Sequence, residues 1–516
     1  MLNLNNNFYK MKYKKYKNKY ITIKNQYGGK FKHDGTKLEI YETIDNDYTT
    51  ILEKIENLTE LIFRQNKITD NSATEISKFI TKQTNLKTFN FEHNTNEDTV
   101  IEKIVESLKN LNTLERLTFA GGKFVTKEII ALGNNFAKMT ELKSFIFTYN
   151  NIDEDGAIAL ASGFKELRNL EYLDLGNTNI TIKGAIALAE GFKNMHNLKS
   201  LDLTFNHFFS YTIDNKGTSA LAEGFTNMPN LTYLNLDKNY FGSKGANVLA
   251  KGFKNMPNLT YLNLAYNNIG SEGVNILMEG FKNMPNLTYL NLADNNIGSE
   301  GVNILMEGFK NMPILRSFNL ANNNFASEGA IALAKVFKNM PKLTDLDLAS
   351  NNIGSKGAIE LANIFQHIPL LNDLRLDKNN IGNDGVIALA DNFRYIPELI
   401  TLYLTYNNIS NKGAIELVNS FPIKNDIGNK GAIERVTDFP IKNDKYRRLL
   451  LSYNYISDES KITLISTVKE KYQSYSEVFL QVHLDNQKTF ICIPNIMGQY
   501  DTLEKCELFE IVISNP

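Results

Sequence analysis

Cysteine is almost missing from this chain, with Cys492 and Cys506 the only two in 516 residues, so no disulfide framework can hold it and a reducing compartment is expected. Histidine is nearly as scarce. His33, His93, His196, His207, His367 and His483 fall in different stretches at no ligand-like spacing, so neither a metal centre nor any other cofactor is expected. No run approaches the roughly 18 apolar residues of a membrane helix, and the N-terminal stretch lacks the apolar core of a secretory signal. A soluble, cytoplasmic protein without a transmembrane segment is the expectation. The phosphate-binding G-x-x-x-x-G-K-[ST], the G-x-S-x-G elbow and H-E-x-x-H are missing too, and neither thiol has a His partner at a telling distance. Nothing here calls for an enzyme.

What the chain has instead is a repeat. Leu259–Asn286 and Leu287–Ile314 are the same 28 residues written twice, differing at Tyr266/Asp294 and at the final position. In the first copy Leu262 and Leu264 alternate with Asn263 and Ala265, which predicts a short strand with leucines on one face. Asn267 follows where the chain leaves the strand, placed to hydrogen-bond turn backbone that burial would otherwise leave unpaired. Ile269 seals the turn and Ser271 is the expected helix N-cap, while Val274, Leu277 and Phe281 form a helical stripe. Met284 and Pro285 close the unit and steer the chain into the next strand. One unit cannot bury its own apolar face, so many must stack.

The pattern LxxLxLxxNxI followed by GAxxLAxGF resembles the leucine-rich repeat family, in its long-repeat, ribonuclease-inhibitor-like subclass. That resemblance covers nearly all of residues 58–465. It implies an α/β solenoid, a curved horseshoe of about 14 repeats with a parallel sheet on the concave side and helices on the convex side. For function it implies a choice, since the family includes binding proteins, sensors and a GTPase-activating protein for Ran.

Charge and register divide the chain. Its net charge is −1, yet the first 37 residues hold ten lysines and one acid, a local +9 that leaves −10 for the rest. Within residues 1–29, Tyr9, Tyr13, Tyr16, Tyr20, Ile23 and Tyr27 share a 4-3-4-3-4 spacing with lysines between, which predicts a basic amphipathic helix over 8–29 stopped by Gly28-Gly29. Such a helix packs, pairs, or touches a membrane surface. The stretch also resembles Lys/Tyr-rich leaders of giant DNA virus proteins, which implies a viral origin, conceivable cleavage after Gly29, and a host-cytoplasm or virion location. Residues 30–57 read as an N-terminal cap with a helix over about 47–56, and 58–472 as the array. Five extra residues fall near His207–Lys216. Residues 409–426 recur with four changes as 427–444, a partial duplication that copies turn and helix without a strand. The tail, 473–516, alternates in Val478–Leu484 and Thr489–Ile493 and reads as a β-rich cap, with a third strand over Glu507–Ser514 and a small separate binding module as the alternative. Asn-Leu-Thr triplets at Asn57, Asn230, Asn258 and Asn286 match a glycosylation acceptor but recur at one point of the repeat, so they read as fold grammar.

The register also names the outward strand positions of the concave face. They are Tyr172, Asp174, Ser200, Asp202, Tyr233, Asn235, Asp237, Tyr261, Asn263, Tyr289, Asn291 and Asn319, then Asp345, Asp347, Asp373, Arg375, Asp377 and Tyr403. Tyrosines and asparagines give way to acids. Tyrosine favours interfaces because it offers a rigid apolar face and a hydroxyl, though the tyrosines also fit simple duplication of neighbouring repeats. Acids on this face argue against nucleic acid there. The reading is a non-enzymatic scaffold for a protein partner, with a GTPase-activating regulator and a virion or membrane-surface component as alternatives.

Overall fold

The computed structural model describes residues 31–41, 52, 55–97, 99–206, 216–309, 312–420, 448–450, 480–484, 487–491 and 510–513. The chain divides into two compact units, Met1–Leu259 and Thr260–Pro516. The leader at 8–29, the insertion near 207–216 up to residue 215, the duplicated copy at 427–444 and both cysteines lie outside the described residues.

In the first unit a strand Phe31–His33 runs antiparallel to Lys37–Tyr41 and covers its edge. From there every pairing is parallel, through Glu60–Arg64, Thr88–Glu92, Arg116–Ala120, Ser144–Ile146, Tyr172–Asp174 and Ser200–Asp202 to Tyr233–Asn235. The first strands are five residues long and bury phenylalanines where later ones bury leucines. Phe63, Phe89, Phe91, Phe119 and Phe147 are all fully buried, with rings on adjacent strands in contact, such as Phe89 and Phe119 with centroids 5.9 Å apart. The second unit continues the same grammar from Tyr261–Asn263 through Tyr289–Asn291, Ser317–Asn319, Asp345–Asp347 and Asp373–Arg375 to Thr401–Tyr403, again parallel. Arg448–Leu450 pairs next, so the sheet resumes 47 residues after Leu402, at Leu449, where 28 is the rule. Glu510–Ile513 then adds in parallel, followed by Leu480–Leu484, whose hairpin partner is Gln487–Ile491.

Each expected core position of the archetypal repeat is buried. Leu262, Leu264, Ile269, Val274, Leu277, Phe281 and Met284 are all fully inaccessible. The helix expectation needs one correction. It runs Gly270–Phe281, so Ser271 lies inside its first turn and does not cap it. At the equivalent positions Ser327 and Ser355 donate instead to the carbonyls of Ile353 and Ile381, one repeat ahead, both at 2.6 Å. The serine ties neighbours together because the helix start already faces the next turn. Likewise Asn230 and Asn258, in two of the acceptor-like triplets, donate to the carbonyls of His196 and Pro229 one repeat back, at 2.8 and 2.9 Å.

One column near the C-terminal end of the helices decides how each helix ends. Where glycine stands there, at Gly163, Gly191, Gly224 and Gly252 for example, the helix continues through the following phenylalanine. Where Asn135, Val336, Ile364 or Asn392 stands there, the phenylalanine begins a 3-10 turn instead. The reason is contact with the preceding helix: a Cβ on Gly163 would lie 2.4 Å from the Gly133 carbonyl oxygen. A side chain must push that last turn outward and tighten it. Gly163→Ala should therefore lose about 1–3 kcal/mol in urea melts, the usual range for overpacking, where an open helix would gain about 0.5–1 kcal/mol from the same change. A gain would mean that the two helices separate freely.

Candidate functional site

Each three-residue strand has the burial order half-exposed, buried, half-exposed in almost every repeat, so two side chains per strand face away from the helices. Those are the positions the register names, with Asp345 and Arg375 the most exposed among them. Asp237 and Asp377 lie two residues beyond their strands, at the turn.

The floor beneath this face is a ladder of buried asparagines. In the second unit the Asn267 amide N–H donates to Asn295 Oδ1 at 3.0 Å, and the pattern repeats from Asn295 to Asn323, Asn323 to Asn351, Asn351 to Asn379 and Asn379 to Asn407. Each carboxamide nitrogen also donates to carbonyls in its own turn and in the previous repeat, as Asn323 Nδ2 does to Leu320, Ala321 and Leu292. The first unit has the same device between Asn66 and Asn94 and between Asn206 and Asn239. Thr178 replaces one member there, its hydroxyl donating to the Leu175 carbonyl at 2.6 Å. The turns are thereby fixed, and with them the direction of every outward strand side chain.

In seven strands the second outward position also holds a turn. Its side-chain oxygen accepts the backbone N–H two residues on. Asparagine performs this at Asn235, Asn263, Asn291 and Asn319, at 2.9–3.2 Å. Aspartate performs it at Asp174, Asp202 and Asp347, at 2.9–3.1 Å. The fold asks only for an acceptor. In the acidic cases burial pushes the carboxyl up, to about 6 at Asp174 and upward at Asp202 and Asp347. Asp174 and Asp202 are cross-strand neighbours, and the Asp202 carboxylate raises Asp174 further, while at Asp202 the effect of burial is partly relieved by the Thr204 N–H and by Asn235 Nδ2 donating to Oδ2 at 2.9 Å. Burial together with Asp174 and Asp202 raises the adjacent Tyr172 to about 12, so its hydroxyl stays neutral.

In the second unit Tyr261 and Tyr289 stack face to face, ring centroids 4.2 Å apart and planes within 7°. Three strands on, Arg375 donates through Nε to Asp373 at 3.1 Å, and its guanidinium lies over the Tyr403 ring at 4.6 Å. Asp377 is committed to the fold, accepting from the Thr405 N–H at 2.8 Å and from the Thr405 hydroxyl. Asp345 accepts only from the Thr344 hydroxyl at 2.6 Å among the described residues. A third column, one residue before the strand, behaves differently. Glu115 bridges Lys87 at 2.7 Å and Lys143 at 3.1 Å, hydrogen bonds that hold its carboxyl down near 2, and Lys199 pairs with Glu171 at 2.9 Å. That column neutralises itself, whereas on the outward face of the second unit Asp373 is paired with Arg375 and, among the described residues, Asp345 and Asp347 have no ion pair.

One set of exposed aromatics escaped the register. Tyr149, Phe205, Tyr266 and Tyr406 all stand immediately before the asparagine column, with φ between 51° and 56°. Bulky residues seldom adopt this left-handed conformation, and other repeats use Asn177, Asp294, Asn322 or Gly121 there. The signal was present in the sequence, because Tyr266/Asp294 is the interior difference between the two matching copies. It was missed because nothing in a strand period marks a turn residue as exposed. Among the described residues no cluster of His, Cys, Asp and Glu fits a metal ion, and no helix is long and apolar enough to cross a membrane.

Family models of the leucine-rich repeat match residues 138–161, 166–189, 194–211, 227–250, 311–334, 339–362, 367–390 and 398–418, with further matches at 247–297 and 286–312. No curated protein matches the chain. Among solved structures, the crystal structure of an internalin from Listeria monocytogenes str. 4b F2365 is 20% identical, covers 83% of this chain and 88% of its own, and has a TM-score of 0.43. Seven of these first eight segments contain one strand and most of the helix that follows it, and the chain is a leucine-rich repeat protein.

Proposed function

We propose that the protein is a non-catalytic interaction scaffold whose sheet face, away from the helices, binds a basic protein partner. The observation that supports this is the aspartate at Asp174, Asp202 and Asp347. Asparagine makes the same turn bond at four equivalent positions, so the fold gains nothing from the charge, and burial penalises it. Residues held against a folding cost belong to a binding surface more often than to a scaffold. A full helix in each 28-residue unit favours the ribonuclease-inhibitor-like subclass, in which length provides a large face without a large globular core.

The test is binding kinetics of a partner purified on the intact chain, at two salt concentrations. Tyr261→Ala with Tyr289→Ala should speed dissociation, by about 1–2 kcal/mol per contacting ring. Asp345→Asn with Asp347→Asn should slow association and flatten its salt dependence. Wild-type kinetics in both variants, combined with loss of binding from helix-face substitutions, would refute the assignment of the sheet face.

A further inference from the structure

The first outward column of the second unit reads Tyr261, Tyr289, Ser317, Asp345, Asp373, Thr401 in strict cross-strand register. Ser317 is its smallest side chain, between an aromatic ring and a carboxylate. Adjacent strands lie about 4.8 Å apart, so Tyr289 and Asp345 stand about 10 Å apart across the serine. That spacing leaves room for one flat group, in van der Waals contact with the ring on one side and within ion-pair distance of the carboxylate on the other. Tyr289 is already backed by Tyr261 at 4.2 Å, which fixes its ring and leaves its other face towards Ser317. Asp345 has one oxygen on the Thr344 hydroxyl and no cationic partner among the described residues.

The same face shows what it does with a planar cation. Arg375 is gripped by a carboxylate, Asp373 at 3.1 Å, while its guanidinium covers a tyrosine ring on the next strand, Tyr403 at 4.6 Å. A ring and a carboxylate stand again on the preceding strands, Tyr289 and Asp345 on either side of Ser317, with no cation between them among the described residues. We propose that Tyr289, Ser317 and Asp345 form a subsite for an arginine side chain of the protein partner, stacked on Tyr289 and paired with Asp345. Arginine fits better than lysine because its plane can lie on the ring while its edge keeps donors for the carboxylate. The floor is polar and suits the guanidinium rim, since Asn291 and Asn319 are the flanking outward side chains of the same strands.

This inference rests on the sheet-face reading of function, yet its test is separate from it. Saturation-transfer NMR on the full-length protein would use N-acetyl-arginine methylamide as probe and the citrulline analogue, equal in shape and uncharged, as control. Expected is saturable transfer to the arginine side-chain methylenes, with the citrulline signal at least fivefold weaker. Tyr289→Leu and Asp345→Asn should each weaken arginine binding at least fivefold while melting like wild type. Arg375→Gln should leave the site intact, which separates it from displacement of the internal arginine. Equal signals from the two probes, or arginine binding that survives both variants, would overturn the subsite. Arginine binding that follows these expectations, alongside partner kinetics unmoved by the same variants, would leave the subsite standing and refute the sheet-face function.

Discussion

Asn323→Ala should be among the most damaging single changes available in this chain, lowering stability by about 3–5 kcal/mol. Asn323 is completely buried, and its Oδ1 accepts from two backbone amides, Asn295 at 3.0 Å and Ile297 at 3.2 Å. Its Nδ2 donates to three carbonyls, but these keep other donors: Leu292 receives Asn295 Nδ2, Leu320 receives Asn351 Nδ2, and Ala321 receives the Asp294 N–H. The loss therefore concentrates on two orphaned amides at about 1–3 kcal/mol each. The site cannot be repaired by water without opening the turn, because its neighbours Leu320, Phe318 and Phe325 are buried as well. Asn303→Ala, on an exposed helix position, is the control and should stay within about 0.5 kcal/mol of wild type. Urea melts followed by circular dichroism would measure both. Equal midpoints would mean that the ladder is decoration and that leucine packing alone holds the turns.

The ladder also shows where the sequence stopped being informative. Strand and helix were legible from period alone, because Leu262, Leu264, Val274 and Phe281 obey spacings that only one arrangement can bury. That Asn267 serves a buried turn was equally legible. What was not is that its own N–H is held by Asn295, 28 residues ahead, since a contact between repeats leaves no trace within one. The same blindness produced the capping role given to Ser271, whose equivalents bond forward to the next repeat. Outward positions could be named from alternation, yet their differences could not: Asp377 looks like Asp345 in the sequence, while in the fold Thr405 occupies its carboxylate. Tyr149, Phe205, Tyr266 and Tyr406 were passed over because left-handed backbone at a turn is set by the neighbouring units, not by local propensity.

Asp174→Asn should raise stability at neutral pH and change its pH dependence, and both effects follow from one carboxyl. Its native value is pushed up to about 6 from an ordinary 3.8, chiefly by burial and then by the Asp202 carboxylate beside it, against the pull of the Gly176 N–H. A carboxyl raised on folding favours the native state fully below its unfolded value and loses that contribution as pH climbs through its folded one. The wild type should thus lose about 2–3 kcal/mol from this group between roughly pH 4 and pH 7, taking about 1.4 kcal/mol per pKa unit. Asparagine keeps the turn bond, as Asn263 and Asn291 do at the matching positions, and carries no proton to lose. The variant should therefore match wild type near pH 4 and exceed it by up to about 2–3 kcal/mol at pH 7, with a flatter profile between. Part of the rise at Asp174 comes from the Asp202 carboxylate, so Asp174→Asn with Asp202→Asn should give less than the sum of the single gains. If the carboxylate serves a basic partner, the stabilised variant must also bind that partner more weakly at low salt. A protein both more stable and equally competent would mean that Asp174 is tolerated by the fold and used by nothing.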